Sequence, residues 1–303
     1  MTRCHKRQER GPGWETTLPM TILARDLRRI FGAAAIFAAL AFAGCASNKL
    51  DTASLNPDPP TKMFADADAM MSKGNYSDAA KQFENVDRDH PYSPEARKSI
   101  VMAAYAYYRA GKSPEAIASA ERYVALHPGT KEAPLAYHII ASAYFDDMKT
   151  PNRDQTPARK ALEALKTLKT RYPESEYARD ADNRMRIVQD NIAASEMEVG
   201  RYYLNQHNYI GAINRFKTVV SEYQTTAHVE EALSRLTECY MALGITKEAQ
   251  NAAAVLGHNY PDSKWYKDAY ALLQSGGLAP RDDNGSWLTK AWKAVPKLSL
   301  GNG

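Results

Sequence analysis

Five alanines, Ala79, Ala116, Ala161, Ala212 and Ala249, are each followed twelve residues later by a position suited to stopping a helix: Pro91, Pro128, Pro173, Gln224 and Pro261. Immediately before each stop stands a ring, in order His90, His127, Tyr172, Tyr223 and Tyr260. A spacing held through five units marks one structural unit copied along the chain, and it limits the fold before any residue-level chemistry does. Between alanine and stop, apolar residues recur at helical spacing, as Phe83 and Val86, Leu165 and Leu168, Phe216 and Val219. Ala120 and Tyr123, then Ala253 and Leu256, take those places in two weaker copies. Nine residues upstream of the alanine comes a bulky residue: Met70, Tyr107, Tyr203, Tyr240, and Tyr144 once an insertion is allowed for. Three positions earlier the residue is small: Ala67, Ala104, Ala141, Gly200 or Thr237.

Small residue, bulky residue, alanine, apolar pair and proline make up the tetratricopeptide pattern. The small residue lets two helices approach, the aromatic fills the space beside it, and proline ends the second helix because it lacks an amide hydrogen. The expected fold is therefore all-α: a solenoid of five helix pairs over residues 61–275, finished by a closing helix from Lys264 to Ser275.

The chain's start reads differently. Arg25, Arg28 and Arg29 precede an apolar run from Ile30 to Phe42 that ends Ala43-Gly44-Cys45. A basic stretch, a short apolar core and small residues before a break read as a secretory signal, too short for a permanent membrane helix. Residues 1–44 are assigned to it, with Met20 as a possible true start. A cysteine directly after the small pair resembles the bacterial lipobox, so Cys45 is expected to be acylated and to become the mature N-terminus. Ala46 in place of aspartate then points to the outer membrane. Residues 45–60 read as a flexible, lipidated tether. Of three cysteines, Cys4 lies in the signal and Cys45 would carry lipid, leaving Cys239 without a disulfide partner and suited to a small buried hydrophobe.

Charge changes meaning once the signal is set aside. Of 39 basic and 35 acidic residues, seven and three lie in residues 1–44, leaving 32 of each. A balanced mature chain lacks the concentrated basic face that nucleic-acid binding needs. Gly111-Lys112-Ser113 imitates the end of a phosphate-binding loop, but Ala106 stands where the first glycine should be, and the context is a helix–turn–helix. The histidines show no metal-ligand spacing, no cofactor site is apparent and no catalytic constellation emerges, so a binding scaffold is expected and not an enzyme.

Within the solenoid, a polar, proline-bearing insertion near Lys149–Thr156 is expected to be a surface loop. Glu174 to Val199, free of Gly and Pro, is expected to be one helix about 39 Å long at 1.5 Å per residue. Counting from the packing residues puts Phe64, Met71, Val101, Tyr105, Tyr108, Leu135 and Phe145 on the concave inner face of repeats one to three. Exposed aromatics and methionines there suit an apolar peptide held without strict sequence choice. After Gly276 the chain reads as a flexible tail, residues 276–303. Trp287, Leu288, Ala291, Trp292 and Val295 share one helical face, with Lys290, Lys293 and Lys297 largely away from it. Trp287 and Trp292 could dock on a partner or lipid surface, or belong to a disordered tail.

Specific runs go beyond the generic repeat: Tyr105-Ala106-Tyr107-Tyr108, Arg153-Asp154 with Ala158-Arg159, and Tyr172-Pro173-Glu174-Ser175-Glu176-Tyr177 with Asp180-Ala181. Val199-Gly200-Arg201-Tyr202-Tyr203 and Ala212-Ile213-Asn214-Arg215 complete the set. With these runs and the repeat intervals 37, 45, 51 and 37, the chain resembles the BamD family, tetratricopeptide lipoproteins of the β-barrel assembly machinery. The resemblance implies a lipid-anchored scaffold on the periplasmic face of the outer membrane. It would bind the POTRA domains of BamA, work beside other assembly lipoproteins and receive unfolded β-barrel precursors. Precursors of that machinery typically end in an aromatic residue, which fits the aromatic half of the groove. Arg215, one position before the buried-stripe residue Phe216, should point off the core; with Asn214 it matches the family's BamA contact. Gln224 in place of proline and the tail beyond Gly276 depart from the family pattern. The residues alone also admit a generic lipid-anchored adaptor that recruits cell-wall enzymes.

Overall fold

A computed structural model of the protein describes residues 57–293. The signal segment, Cys45, most of the tether and the tail from residue 294, including Val295 and Lys297, lie outside the described residues. Twelve α-helices and one short 3-10 turn build the described chain, with no strand among those residues. The pairs are α1 (Pro60–Ser72) with α2 (Tyr76–Asp89), α3 (Pro94–Arg109) with α4 (Ser113–Leu126), and α5 (Ala133–Asp146) with α6 (Thr156–Arg171). They continue as α7 (Ala181–Asn205) with α8 (Tyr209–Glu222) and α9 (Val229–Ala242) with α10 (Thr246–Asn259). Then come α11 (Lys264–Ser275) and a short α12 (Trp287–Lys293). From α1 to α11 each helix packs on its sequence neighbours, α12 packs on α8 and α10, and α1, α3 and α5 also touch in series. This is the all-α solenoid of helix pairs that the repeat spacing predicts.

Two turns, repeated, make the stacking possible. All five marker alanines are fully buried, where a larger side chain would push two helices apart. All five ring residues occupy the helix C-cap with nearly one geometry, φ between −138° and −127° and ψ between 39° and 61°. Each ring residue's carbonyl then accepts from the amide three positions on: Ser93, Thr130, Ser175, Thr226 and Ser263. That position is a hydroxyl residue in every copy. The three serines cap the next helix or turn, accepting from the Ala96, Tyr177 and Trp265 amides, whereas the two threonines donate back to the His127 and Tyr223 carbonyls.

The turn inside a pair is a Schellman motif whose acceptor is the repeat's own bulky residue. Amides of Asn75, Lys112, Asn208 and Ile245 donate to the carbonyls of Met70, Tyr107, Tyr203 and Tyr240. The left-handed residue this turn requires is Gly74, Gly111 or Gly244 in three repeats, and His207 at φ 58° in the fourth. In repeat three the insertion replaces the motif. It is held from inside: the Gln155 amide donates to the Thr150 and Arg153 carbonyls, and Asn191 on α7 donates to the Lys149 carbonyl.

Two expectations need correction. The long segment from Glu174 is not helical throughout: Ser175 caps a 3-10 turn, Glu176–Ala178, and α7 begins only at Ala181. The cause is tertiary, since Tyr177 turns in to lie against the His138 ring at 5.1 Å, and the turn packs among α5, α6 and α7. The tail is not a free segment over residues 278–293 either. It crosses the last two repeats as a strap and buries Leu288 to 1% exposure. Its anchor is Asn251, a fully buried amide on α10 whose Oδ1 accepts from the Asp283 amide (2.9 Å) and the Thr289 hydroxyl (3.2 Å). Arg281 and Ala279 exchange hydrogen bonds with Gln250, Ser286 donates to Glu248, and the Trp287 indole donates to the Tyr240 hydroxyl. Cys239 is fully buried, and burial pushes its thiol up to about 12.

Candidate partner-binding surfaces

The first helices of repeats one to three adjoin in series, but they are packed on several sides: α3, for example, touches α1, α2, α4 and α5. Only a narrow strip of each stays open. Phe64, Met71, Tyr105, Tyr108, Leu135 and Phe145 are half-buried and lie along the core's edge. Val101 does not join them: at 2% exposure it belongs to the core, because the buried arc of α3 is wider than one stripe.

The strip is amphipathic. Phe64 packs edge-on to Phe83, with centroids 5.2 Å apart. The Arg109 guanidinium lies 4.7 Å over the Tyr76 ring and donates to the hydroxyls of Tyr76 (2.8 Å) and Tyr105 (3.0 Å). Tyr108 donates to Asp146 at 2.8 Å, and burial, with help from that carboxylate, raises its pKa. Arg184 covers the Phe145 ring at 5.5 Å and donates to Ser142. Spacing gave no hint of Arg109, Tyr177 or Arg184 on this strip, because they come from helix ends and a 3-10 turn. His138 beside Tyr177 has its pKa lowered, first by burial and then by the Arg184 charge.

The second surface is on repeat four. Tyr203, Asn208, Ile210, Gly211, Asn214, Arg215 and Thr218 line an open depression of about 440 Å³. Ile210 is 67% exposed, an apolar side chain left in water at the depression's edge. Arg215 stands beside it, half-exposed, off the buried stripe of Ala212, Phe216 and Val219, as its register predicts. It is not a free charge, however. Its Nη1 donates to Glu196 Oε2 at 3.1 Å, while Arg159 Nη2 on α6 donates to Glu196 Oε1 at 2.9 Å. Glu196 is the one charged residue among the buried side chains of the described segment. A carboxylate in that position is tolerable only with strong donors on both oxygens. Its signal was legible, since Glu196 interrupts the apolar stripe of Ile192 and Gly200 at four-residue spacing.

Trp287 and Trp292 face inward. Lys217 on α8 sits 4.5 Å over the Trp287 ring, and Trp292 packs edge-on to Tyr260. Gln224, the residue in place of the usual proline, donates its side-chain amide to the Ala291 carbonyl at 3.2 Å. The tail's tryptophans thus dock on this chain's own repeats four and five. Among the described residues no helix is long and apolar enough to cross a membrane, and no group of three or more His, Cys, Asp or Glu is placed to hold a metal.

The YfiO family, described as an outer membrane lipoprotein, matches residues 56–256. Among curated relatives, the outer membrane protein assembly factor BamD of Caulobacter vibrioides is 41% identical, covering 82% of this chain and 81% of its own. That of Rickettsia prowazekii is 34% identical over 78% of this chain and 93% of its own, and that of Neisseria meningitidis 33% over 69% and 82%. Five helix pairs in this register, matched at such identity over most of the chain, place the protein in the BamD family of outer membrane protein assembly factors.

Proposed function

We propose that this assembly factor is a non-enzymatic scaffold, held at the periplasmic face of the outer membrane by lipid on Cys45. It binds the POTRA domains of BamA through repeat four and receives unfolded β-barrel precursors along the inner strip of repeats one to three. Work beside other assembly lipoproteins belongs to the same reading. The observation that carries it is the repeat-four surface: Arg215 and Asn214 beside an open depression, with Ile210 exposed at its edge. An exposed apolar residue next to a guanidinium with unused donors suits a protein interface, where a rigid Arg fork meets a carboxylate. The inner strip supports the second half of the proposal. Its half-buried rings and cationic covers offer stacking and hydrogen bonds to an extended chain without demanding one sequence.

The test is co-purification with BamA. Arg215→Gln is the informative variant, because a new carboxylate at 215 would be forced against buried Glu196. Arg215→Gln is expected to lower BamA recovery while the chain keeps its helix content. Undiminished recovery would remove repeat four from the contact, and recovery of cell-wall enzymes in place of BamA would favour the adaptor reading.

A further inference from the structure

The Glu196 cluster is unbalanced. Two guanidiniums share one carboxylate, so among the described residues one positive charge has no counterion. Each arginine spends a single N–H on Glu196 and remains about half exposed, at 53% for Arg159 and 44% for Arg215. Since both bind one carboxylate, the two guanidiniums are held within reach of a common third group. Glu196 rises from α7 between them, with Arg159 on α6 and Arg215 on α8.

The surroundings share the sign. Helix α6 carries five basic side chains and one acidic one, although residues 45–303 balance overall. Lys169 pairs with Asp182, but Lys160 and Lys166 are exposed and make no ion pair among the described residues. The Tyr223 hydroxyl lies in the same cluster, close enough to feel both Arg159 and Glu196. The strap already lies against parts of α8 and α10, whereas both arginines stay about half exposed.

We propose that Arg159 and Arg215 form a two-guanidinium clamp for one acidic side chain of the partner domain, with Glu196 the buried positioning carboxylate that aims both. The inference rests on the reading that repeat four faces the partner, and it adds a residue from repeat three. An acidic side chain entering the clamp would complete a two-to-two charge cluster. Both guanidiniums could then use planar forked donors that Glu196 leaves free. Glu196 fixes the rotamers beforehand, so little side-chain entropy is lost on binding.

The experiment measures the affinity of the full mature chain for the purified periplasmic domains of its cognate BamA, at two or more salt concentrations. Arg159→Gln and Arg215→Gln are each expected to weaken binding about tenfold, as loss of a close charged contact does. The double variant should lose less than the product of the two, and both singles should show a shallower salt dependence. Arg159→Lys, which keeps the charge but not the fork, should fall in between. Glu196→Gln should weaken binding, and adding Arg215→Gln to it should cost little more; a purely structural Glu196 would give independent losses. If Arg159→Gln leaves affinity unchanged while Arg215→Gln weakens it, the clamp is wrong and the repeat-four reading stands. If neither matters, both fall. If Arg159→Gln instead abolishes binding to anionic phosphatidylglycerol vesicles and leaves BamA unaffected, the basic face is a lipid face and the clamp is again wrong. Melting curves of each variant show whether any loss is merely unfolding, and Arg159→Lys, which retains the ion pair to Glu196, decides the case if Arg159→Gln fails to fold.

Discussion

Gly200 sets two familiar effects against each other, and its replacement by alanine measures which one rules the repeat. In mid-helix, Gly→Ala should stabilise by about 0.8–1.0 kcal/mol through helix propensity alone. The structure opposes it. A methyl group at 200 would sit 2.8 and 2.9 Å from Cδ1 and Cζ of Phe216, and closer still to Cε1. Comfortable carbon contacts are about 3.5–4.0 Å, so the ring must retreat by about 1 Å. Phe216 is fully buried in a core packed like an organic crystal, with nowhere to go. Overpacking of that kind costs about 1–3 kcal/mol, and three ring atoms inside contact distance argue for the upper end. The net expectation is a loss of about 2 kcal/mol, or a drop in Tm of about 4–8 °C for a domain this size. Thermal melts followed by far-UV circular dichroism, on the chain from residue 46 onward, give the number. Two companions sharpen it. Gly257→Ala would meet the far end of Tyr266, a half-buried ring on α11 that can swing aside, so its effect should be near zero. Gly200→Ala combined with Phe216→Leu should cost less than the two changes summed, because the smaller side chain yields space. A Tm that is unchanged or raised in Gly200→Ala alone would refute the steric reasoning, leaving propensity in charge.

His207→Gly should act in the opposite direction. His207 takes the left-handed place at φ 58° that glycine fills in three other repeats, so relief of about 1–2 kcal/mol of strain, less the extra freedom glycine gives the unfolded chain, should leave a gain of about 0.5–1 kcal/mol. The same melts check it, and a fall in Tm would mean that the His207–Tyr209 contact outweighs the strain. Cys45→Ser should move the protein from the membrane fraction to the soluble periplasmic fraction, since a described helix long and apolar enough to span a membrane is absent and acyl chains are what anchors such a chain stably; unchanged fractionation would contradict the lipid anchor.

How much of this could be read from the sequence depends on how far apart the cause and its effect lie. Ala79, Pro91 and their copies act within one hairpin, so their spacing survives as a pattern and gave the fold. The hydroxyl residue three positions after each ring, Ser93 through Ser263, is just as local and just as regular, although Ser and Thr solve the turn by different bonds. Glu196 is another matter. Its position in an apolar stripe could be seen, but its partners lie 37 residues before it and 19 after, and no periodicity links them. Arg215 lies off the buried stripe of α8, a position its register makes legible, yet its tie to Glu196 is not legible in α8 alone. Val101 failed for a related reason, because the width of a helix's buried arc is set by how many neighbours it has. The strap from residue 278 to 293 leaves little trace in the sequence because its anchor, Asn251, looks like an ordinary polar residue until the tail is folded over it.

That strap changes how the two ends of the solenoid should come apart. In a stack where each repeat touches only its neighbours, the terminal unit is the first to open. At the N-terminal end this holds, for α1 buries only Met63 and Ala67 and can fray by itself. At the other end α12 is stitched to α8 and α10 at once, across gaps as long as 67 residues. Repeat five cannot loosen without tearing the strap from repeat four and stripping the partners from Asn251. Repeats four and five therefore form one cooperative block that includes Glu196 and Arg215, whereas Arg159 and the aromatic strip belong to the repeats before it. On the proposed reading, the BamA contact would draw on the block that opens last, and the precursor strip on repeats that can open one at a time.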